Sequence, residues 1–263
     1  MNFAKSLIVY CCLVLSIFSC ASTSVNVKLN VVDNNRQPVS EAKVAMGFLL
    51  SKGGNSFDGV TDSNGYIEAT ENGIFGVRIL LKKDGFYQSK YRTGYGDQNL
   101  NLVLRERKNP VSMYAKRIKI LPPVLNQEFG YDLMKGDYVS PHGQGEISDL
   151  ILKVIYREKD FWNYEYYLSI HFSNPADGLV PFYIDLPDSK FKSSYLAPES
   201  GYQNIWEFKR IAVKNKQDDT NLDKDRNYYF RIRSTVNSDG EIESAYYGKS
   251  YGELPEMIYY LNP

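Results

Sequence analysis

The run LILKVIYREKDFWNYEYYLSIHF, residues 150–172, decides the fold class. Leu150, Leu152, Val154 and Tyr156 fall at every second position, and Trp162, Tyr164, Tyr166, Leu168, Ile170 and Phe172 do the same in the stretch that follows. Alternation of this kind puts each set on one face of a β-strand and does not fit a helical face. Trp162 is therefore expected inside, with the rest of its set. Further along, Tyr228, Phe230 and Ile232 alternate with Tyr229, Arg231 and Arg233, and Ala245 to Tyr251 reads as a late strand or hairpin arm. Only Leu254 to Leu261 suggests a short helix. Gly, Pro, Asn and Asp gather at 140–145, 174–178, 195–201, 216–227 and 237–240, which marks turns between strands. Residues 126–263 thus read as a Tyr-rich antiparallel β domain, a sandwich or a jelly-roll-like unit.

The chain before that domain is also β-patterned. Val25, Val27, Leu29 and Val31 alternate with Asn26, Lys28 and Asn30, and Ala42 to Leu50 is a second apolar run. Phe57 to Thr61 leads into Asp62-Ser63-Asn64-Gly65, a tight-hairpin signal, from which Tyr66 to Ala69 returns; Asn72-Gly73 is another such signal. Phe75 to Lys82 reads as a strand closed by Asp84-Gly85, and Leu100, Leu102 and Leu104 make the last one. Short strands with turns at regular spacing form a β-sandwich. The expected architecture is all-β, one sandwich followed by a second antiparallel domain.

Within residues 25–106, Val31-Val32-Asp33 with Gln37-Pro38-Val39 and Ala42-Lys43-Val44, then Thr61 to Tyr66, then Lys83-Asp84-Gly85-Phe86 resemble the carboxypeptidase regulatory-like (transthyretin-like) domain. The resemblance implies a prealbumin-like or Ig-like sandwich that is not catalytic and that serves as a spacer or adhesive unit near membrane anchors. It lends a fold and no activity. The charged stretch from Arg105 ends in Asn109-Pro110, so residues 107–125 are expected to be a linker or the first strand of the next domain.

The N-terminus reads as a signal peptide over residues 1–19, with Lys5 ahead of an apolar run from Leu7 to Phe18. That run is shorter than the ~20 residues a spanning helix needs. Ile17-Phe18-Ser19-Cys20-Ala21 resembles the bacterial lipobox, with Phe18 departing from the small residue usual there. The chain has three cysteines, Cys11, Cys12 and Cys20, so a chain processed at Cys20 keeps one thiol, at its first position. Cys20 is expected to carry a lipid, with residues 20–24 as its tether. Ala21 resembles the residue that sorts lipoproteins to an outer membrane. Ordinary cleavage near Ala21 or Ser22 would instead give a soluble secreted or periplasmic protein.

Lys plus Arg equals Asp plus Glu, at 31 each, and no long basic cluster interrupts the balance, so no nucleic-acid partner is expected. Two histidines, His142 and His171, cannot make a zinc site without carboxylates at ligand spacing, and no nucleophile elbow occurs. No catalytic residue, metal or cofactor is assigned. Asp219, Asn221, Asp223 and Asp225 alternate as in the first half of a calcium loop, but Lys224 stands in place of the loop glycine and Phe230 in place of the bidentate acid. Phe161-Trp162-Asn163-Tyr164-Glu165-Tyr166-Tyr167 reads either as a stacking platform for sugar rings or as core. With 22 Tyr and 2 Trp in the chain, tyrosines on outward strand faces are the natural ligand contacts. The candidates are Tyr167, Tyr229 and Tyr247, with Arg231 and Arg233 on one face as carboxylate clamps or ion-pair partners.

These features point to a cell-envelope lipoprotein that binds or scaffolds glycan or protein without chemistry. The alternatives are an envelope carbohydrate-active hydrolase with a carboxylate pair among residues such as Glu165, Asp185 and Glu207, or a purely structural subunit.

Overall fold

The computed structural model describes residues 23–186, 188–252 and 256–262. The signal-peptide stretch and Cys20 lie outside the described residues. Among those described there is no helix, and the chain divides into two compact units, one ending at Glu106 and one beginning at Arg107.

In the first unit, β1 (Thr23–Val32) lies between β4 (Tyr66–Gly73), to which it is antiparallel, and β7 (Gln98–Val103), to which it is parallel. The facing sheet is antiparallel, with β2 (Lys43–Leu49) between β3 (Gly54–Val60) and β5 (Val77–Lys82), and β6 (Ser89–Arg92) beyond β5. Val25, Val27, Leu29 and Val31 from β1 meet Val44, Met46 and Phe48 from β2 and Val77, Ile79 and Leu81 from β5 in one core. The alternation of β1 is thus the alternation of core and surface.

Two turns differ from expectation. Asp62-Ser63-Asn64-Gly65 is tight, with the Gly65 N–H donating to Asp62 C=O at 3.0 Å, yet β3 and β4 belong to different sheets. The turn carries the chain across the sandwich and does not close a hairpin. Asn72-Gly73 lies inside β4, opposite Ser24 and Thr23, and the reversal comes later at Gly76, whose φ is 87°.

The second unit is also two facing sheets. The broad sheet has six strands in the order β10 (Asp137–Tyr138), β9 (Glu128–Asp132), β11 (Leu150–Asp160), β12 (Asn163–Phe172), β14 (Ile205–Ala212) and β15 (Asp219–Thr220). The narrow sheet has five, ordered β13 (Gly178–Tyr183), β16 (Arg226–Val236), β17 (Ile242–Tyr251), β18 (Glu256–Leu261) and β8 (Tyr114–Lys119). Every pairing in both sheets is antiparallel. The core joins Leu150, Leu152, Val154, Leu168, Ile170 and Phe172 of the broad sheet to Tyr228, Phe230, Ile232, Met257 and Tyr259 of the narrow one. The short helix expected near the C-terminus is a strand: Met257, Tyr259 and Leu261 alternate inward along β18.

Candidate functional site

The inward face of the broad sheet outruns its core. Along β11 the buried positions Leu150, Leu152 and Val154 give way on the same face to Tyr156, 37% exposed, and then to Glu158. On β12 the sequence runs from buried Phe172, Ile170 and Leu168 through half-buried Tyr166 and Tyr164. Phe161 and Trp162 occupy the β11–β12 turn, 76% and 58% exposed. The expectation that Trp162 is core is therefore corrected, because the alternating set continues past the last residue that the facing sheet covers.

These residues surround a cleft of ≈ 530 Å³ lined by Tyr156, Phe161, Trp162, Tyr164, Arg210 and the 213–218 turn. Phe161 and Trp162 stand edge to face with centroids 5.0 Å apart, and Tyr156 and Tyr164 lie 5.9 Å apart. The Arg210 guanidinium sits 5.7 Å above the Tyr164 ring while its Nε donates to Asp218 at 2.7 Å. Asp160 Oδ1 accepts from the Trp162 N–H at 2.9 Å and from Asn163 Nδ2 at 2.7 Å, which fixes the turn. Those donors, the Asn163 side chain before the Trp162 N–H, hold the Asp160 carboxyl below the usual carboxylate range. Asn163 Oδ1 in turn accepts the Lys214 N–H at 3.2 Å, tying the aromatic turn to the opposite wall. The cleft can take a flat molecule with an apolar face.

A larger groove of ≈ 930 Å³ lies on the other side of the Arg210–Asp218 pair. It is lined by Asn221, Asp223 and Asp225 of the calcium-loop pattern, but the oxygens of that pattern turn to different protein partners. Asp219 pairs with Lys209 Nζ at 3.0 Å, Asn221 Oδ1 accepts the Lys209 N–H at 2.8 Å, and Asp223 accepts the Tyr183 hydroxyl at 2.8 Å and the Asp225 N–H at 3.0 Å. They do not converge as calcium ligands would. Among the described residues, no group of three or more His, Cys, Asp or Glu is placed to hold a metal ion.

The other sequence-derived candidates are dispersed. Tyr167 is half-buried on the open face of the broad sheet, where Lys153, Glu207 and Lys209 border it. Glu165 shares that face and pairs with Arg157 at 3.1 Å. Tyr229 and Arg231, expected at the surface, are only 7% and 9% exposed. The chain between β13 and β14 covers them. Ser194 donates its N–H to the Tyr229 hydroxyl at 2.8 Å, the Phe182 ring stacks on Tyr229 at 4.3 Å, and Tyr202 lies over the Arg231 guanidinium at 4.4 Å. Tyr247 is half-buried against Tyr202.

Arg233 does not share a face with Arg231. A register shift between Ile232 and Thr235, and a φ of 54° at Arg233, mark a bulge that turns its side chain toward the broad sheet. There it donates to Asp149 Oδ1 and Asp132 Oδ1, each at 2.8 Å, and its N–H donates to Asp177 at 2.6 Å. Burial pushes the Asp132 carboxyl up, but the N–H groups of Lys135, Glu146 and Ile147 and the Arg233 charge bring it below its ordinary value. At Asp149 burial outweighs Arg233 and the Leu133 N–H, and the carboxyl stays raised. The two directions differ because Asp132 collects more backbone donors. This network clamps the sandwich from within.

No family model matches the chain, and no curated protein matches it. Two solved structures align along most of its length. One is a DUF3823 family protein from Parabacteroides merdae, 6% identical, covering 91% of this chain and 96% of that one with a TM-score of 0.27. The other is titled a "putative carbohydrate binding protein" from Bacteroides uniformis, 10% identical, covering 89% and 95% with a TM-score of 0.25. Scores this low transfer nothing to this chain.

Proposed function

We propose that this chain is a cell-envelope lipoprotein whose second unit binds glycan without chemistry at the aromatic cleft, while the first sandwich spaces that unit from the membrane. The observation that carries the reading is the exposure of Phe161 and Trp162, at 76% and 58%, over a cleft floored by Tyr156 and Tyr164. Large aromatic side chains left in water around one concavity lower no folding free energy there, whereas the C–H face of a pyranose ring can cover them. Tyr and Trp also lose few torsions on binding.

The test is a glycan array with the purified chain, followed by calorimetry on each hit. Trp162→Ala should weaken binding by about 2 kcal/mol, roughly thirtyfold, as removal of a central aromatic contact does. The melting transition should hardly move, since the ring is exposed. Binding that survives Trp162→Ala and Phe161→Ala together would remove the cleft from consideration.

A further inference from the structure

We infer that the glycan taken by this cleft is acidic, carrying a carboxylate or sulfate on the sugar ring. The inference rests on the glycan-binding reading above and follows from the charges around the rings. Five charged side chains line the cleft: Glu158, Arg210, Lys214, Lys216 and Asp218. Arg210 and Asp218 cancel each other at 2.7 Å. Glu158 is exposed and follows Tyr156 on the same face of β11. Lys214 and Lys216 are exposed on the turn after β14, and neither has an ion-pair partner among the described residues.

The lining thus carries three cations against the two carboxylates of Glu158 and Asp218, and the ammonium groups of Lys214 and Lys216 are the cations left outside an ion pair. Their turn is held against the aromatic tip by the 3.2 Å bond from the Lys214 N–H to Asn163 Oδ1. Val213, 40% exposed, adds apolar surface to the same lining. An acidic pyranose has the matching layout, an apolar C–H face for Trp162 or Phe161 and an anionic group at the ring edge for an ammonium donor. A neutral sugar would leave the excess positive charge of the lining without a counterpart.

The experiment presents uronate-bearing and sulfated oligosaccharides, each beside its methyl-esterified or desulfated counterpart, to the purified chain, to Lys214→Gln/Lys216→Gln and to Trp162→Ala. Acidic members should bind at least tenfold more tightly than their neutral counterparts. The double glutamine variant should lose that tenfold preference and keep whatever affinity the neutral counterpart shows. Acid binding should also weaken with added salt. Equal binding of acidic and neutral members, or a double variant that binds acid as well as the parent, overturns the inference and leaves glycan binding standing. Absence of binding by every member overturns both.

Discussion

Arg233 shows what one side chain decides in this molecule. It is the cation between Asp132 and Asp149, whose side chains are all but excluded from water. Removing one partner of a buried pair leaves a charge uncompensated, so Arg233→Met should cost about 3–5 kcal/mol at neutral pH in chemical denaturation. The pH dependence has a definite sign. In the parent, Asp132 lies below the ordinary 3.8, so its contribution is full above 3.8 and is lost as pH falls through the lower native value. Asp149 lies above 3.8, so its ionisation becomes a cost as pH rises through the raised native value. Without Arg233 both carboxyls move up. The variant should therefore recover stability more steeply than the parent as pH falls through the raised native values toward 3.8. A loss under ~0.5 kcal/mol, the size of an ordinary surface change, would mean the network is not a clamp.

At the scale of elements, the strands with strict alternation were legible in the sequence: β1 and β16 place their expected apolar residues in a core, and β11 and β12 do so up to Val154 and from Leu168 onward. Where strands end and which strands pair was not. Period two continues through Tyr156 and Trp162 although the opposing sheet does not, because alternation reports a strand and not what covers it. Nor does alternation reveal that residues between β13 and β14 fold over β16, which buried Tyr229 and Arg231, or that a bulge would turn Arg233 inward. The platform reading of residues 161–167 includes the exposed turn that lines the proposed cleft, while the favoured outward tyrosines fell elsewhere.

Turns allow a sharper test. Gly65 has φ 72°, and a Cβ there would meet the Val31 carbonyl oxygen at 2.4 Å; Gly85 has φ 81° but open space around it. Gly65→Val should destabilise the first unit by more than the ~1–2 kcal/mol of left-handed strain alone, and Gly85→Val by about that strain. Equal melting temperatures for the two variants would show that the crossing turn is not closely packed.

For the whole molecule, the proposed function is that of a tethered binder, with a lipid at Cys20, a sandwich over residues 25–106 as spacer, and a second sandwich that carries the cleft. Each buried acyl CH₂ contributes ~0.8 kcal/mol, so two or three chains hold a protein on a membrane essentially permanently. Cys20→Ser should move the protein to the aqueous phase in detergent partitioning or leave an uncleaved precursor. Unchanged partitioning with no acyl mass on the N-terminal peptide would refute the anchor.

In the proposed complex the exposed aromatic turn meets the ligand, and the chain's two tryptophans give that contact a direct probe. Trp162 stands in water, while Trp206 is half-buried, packed against Phe208 and Tyr228 at the edge of the core. Intrinsic fluorescence is therefore to be followed during titration with a bound oligosaccharide from the array, in the parent and in Trp162→Phe. A saturable blue shift in the parent, absent in Trp162→Phe although calorimetry still detects binding, is the predicted result. A parent spectrum that stays unchanged while calorimetry registers saturation would contradict it, because the sugar would then be bound away from Trp162.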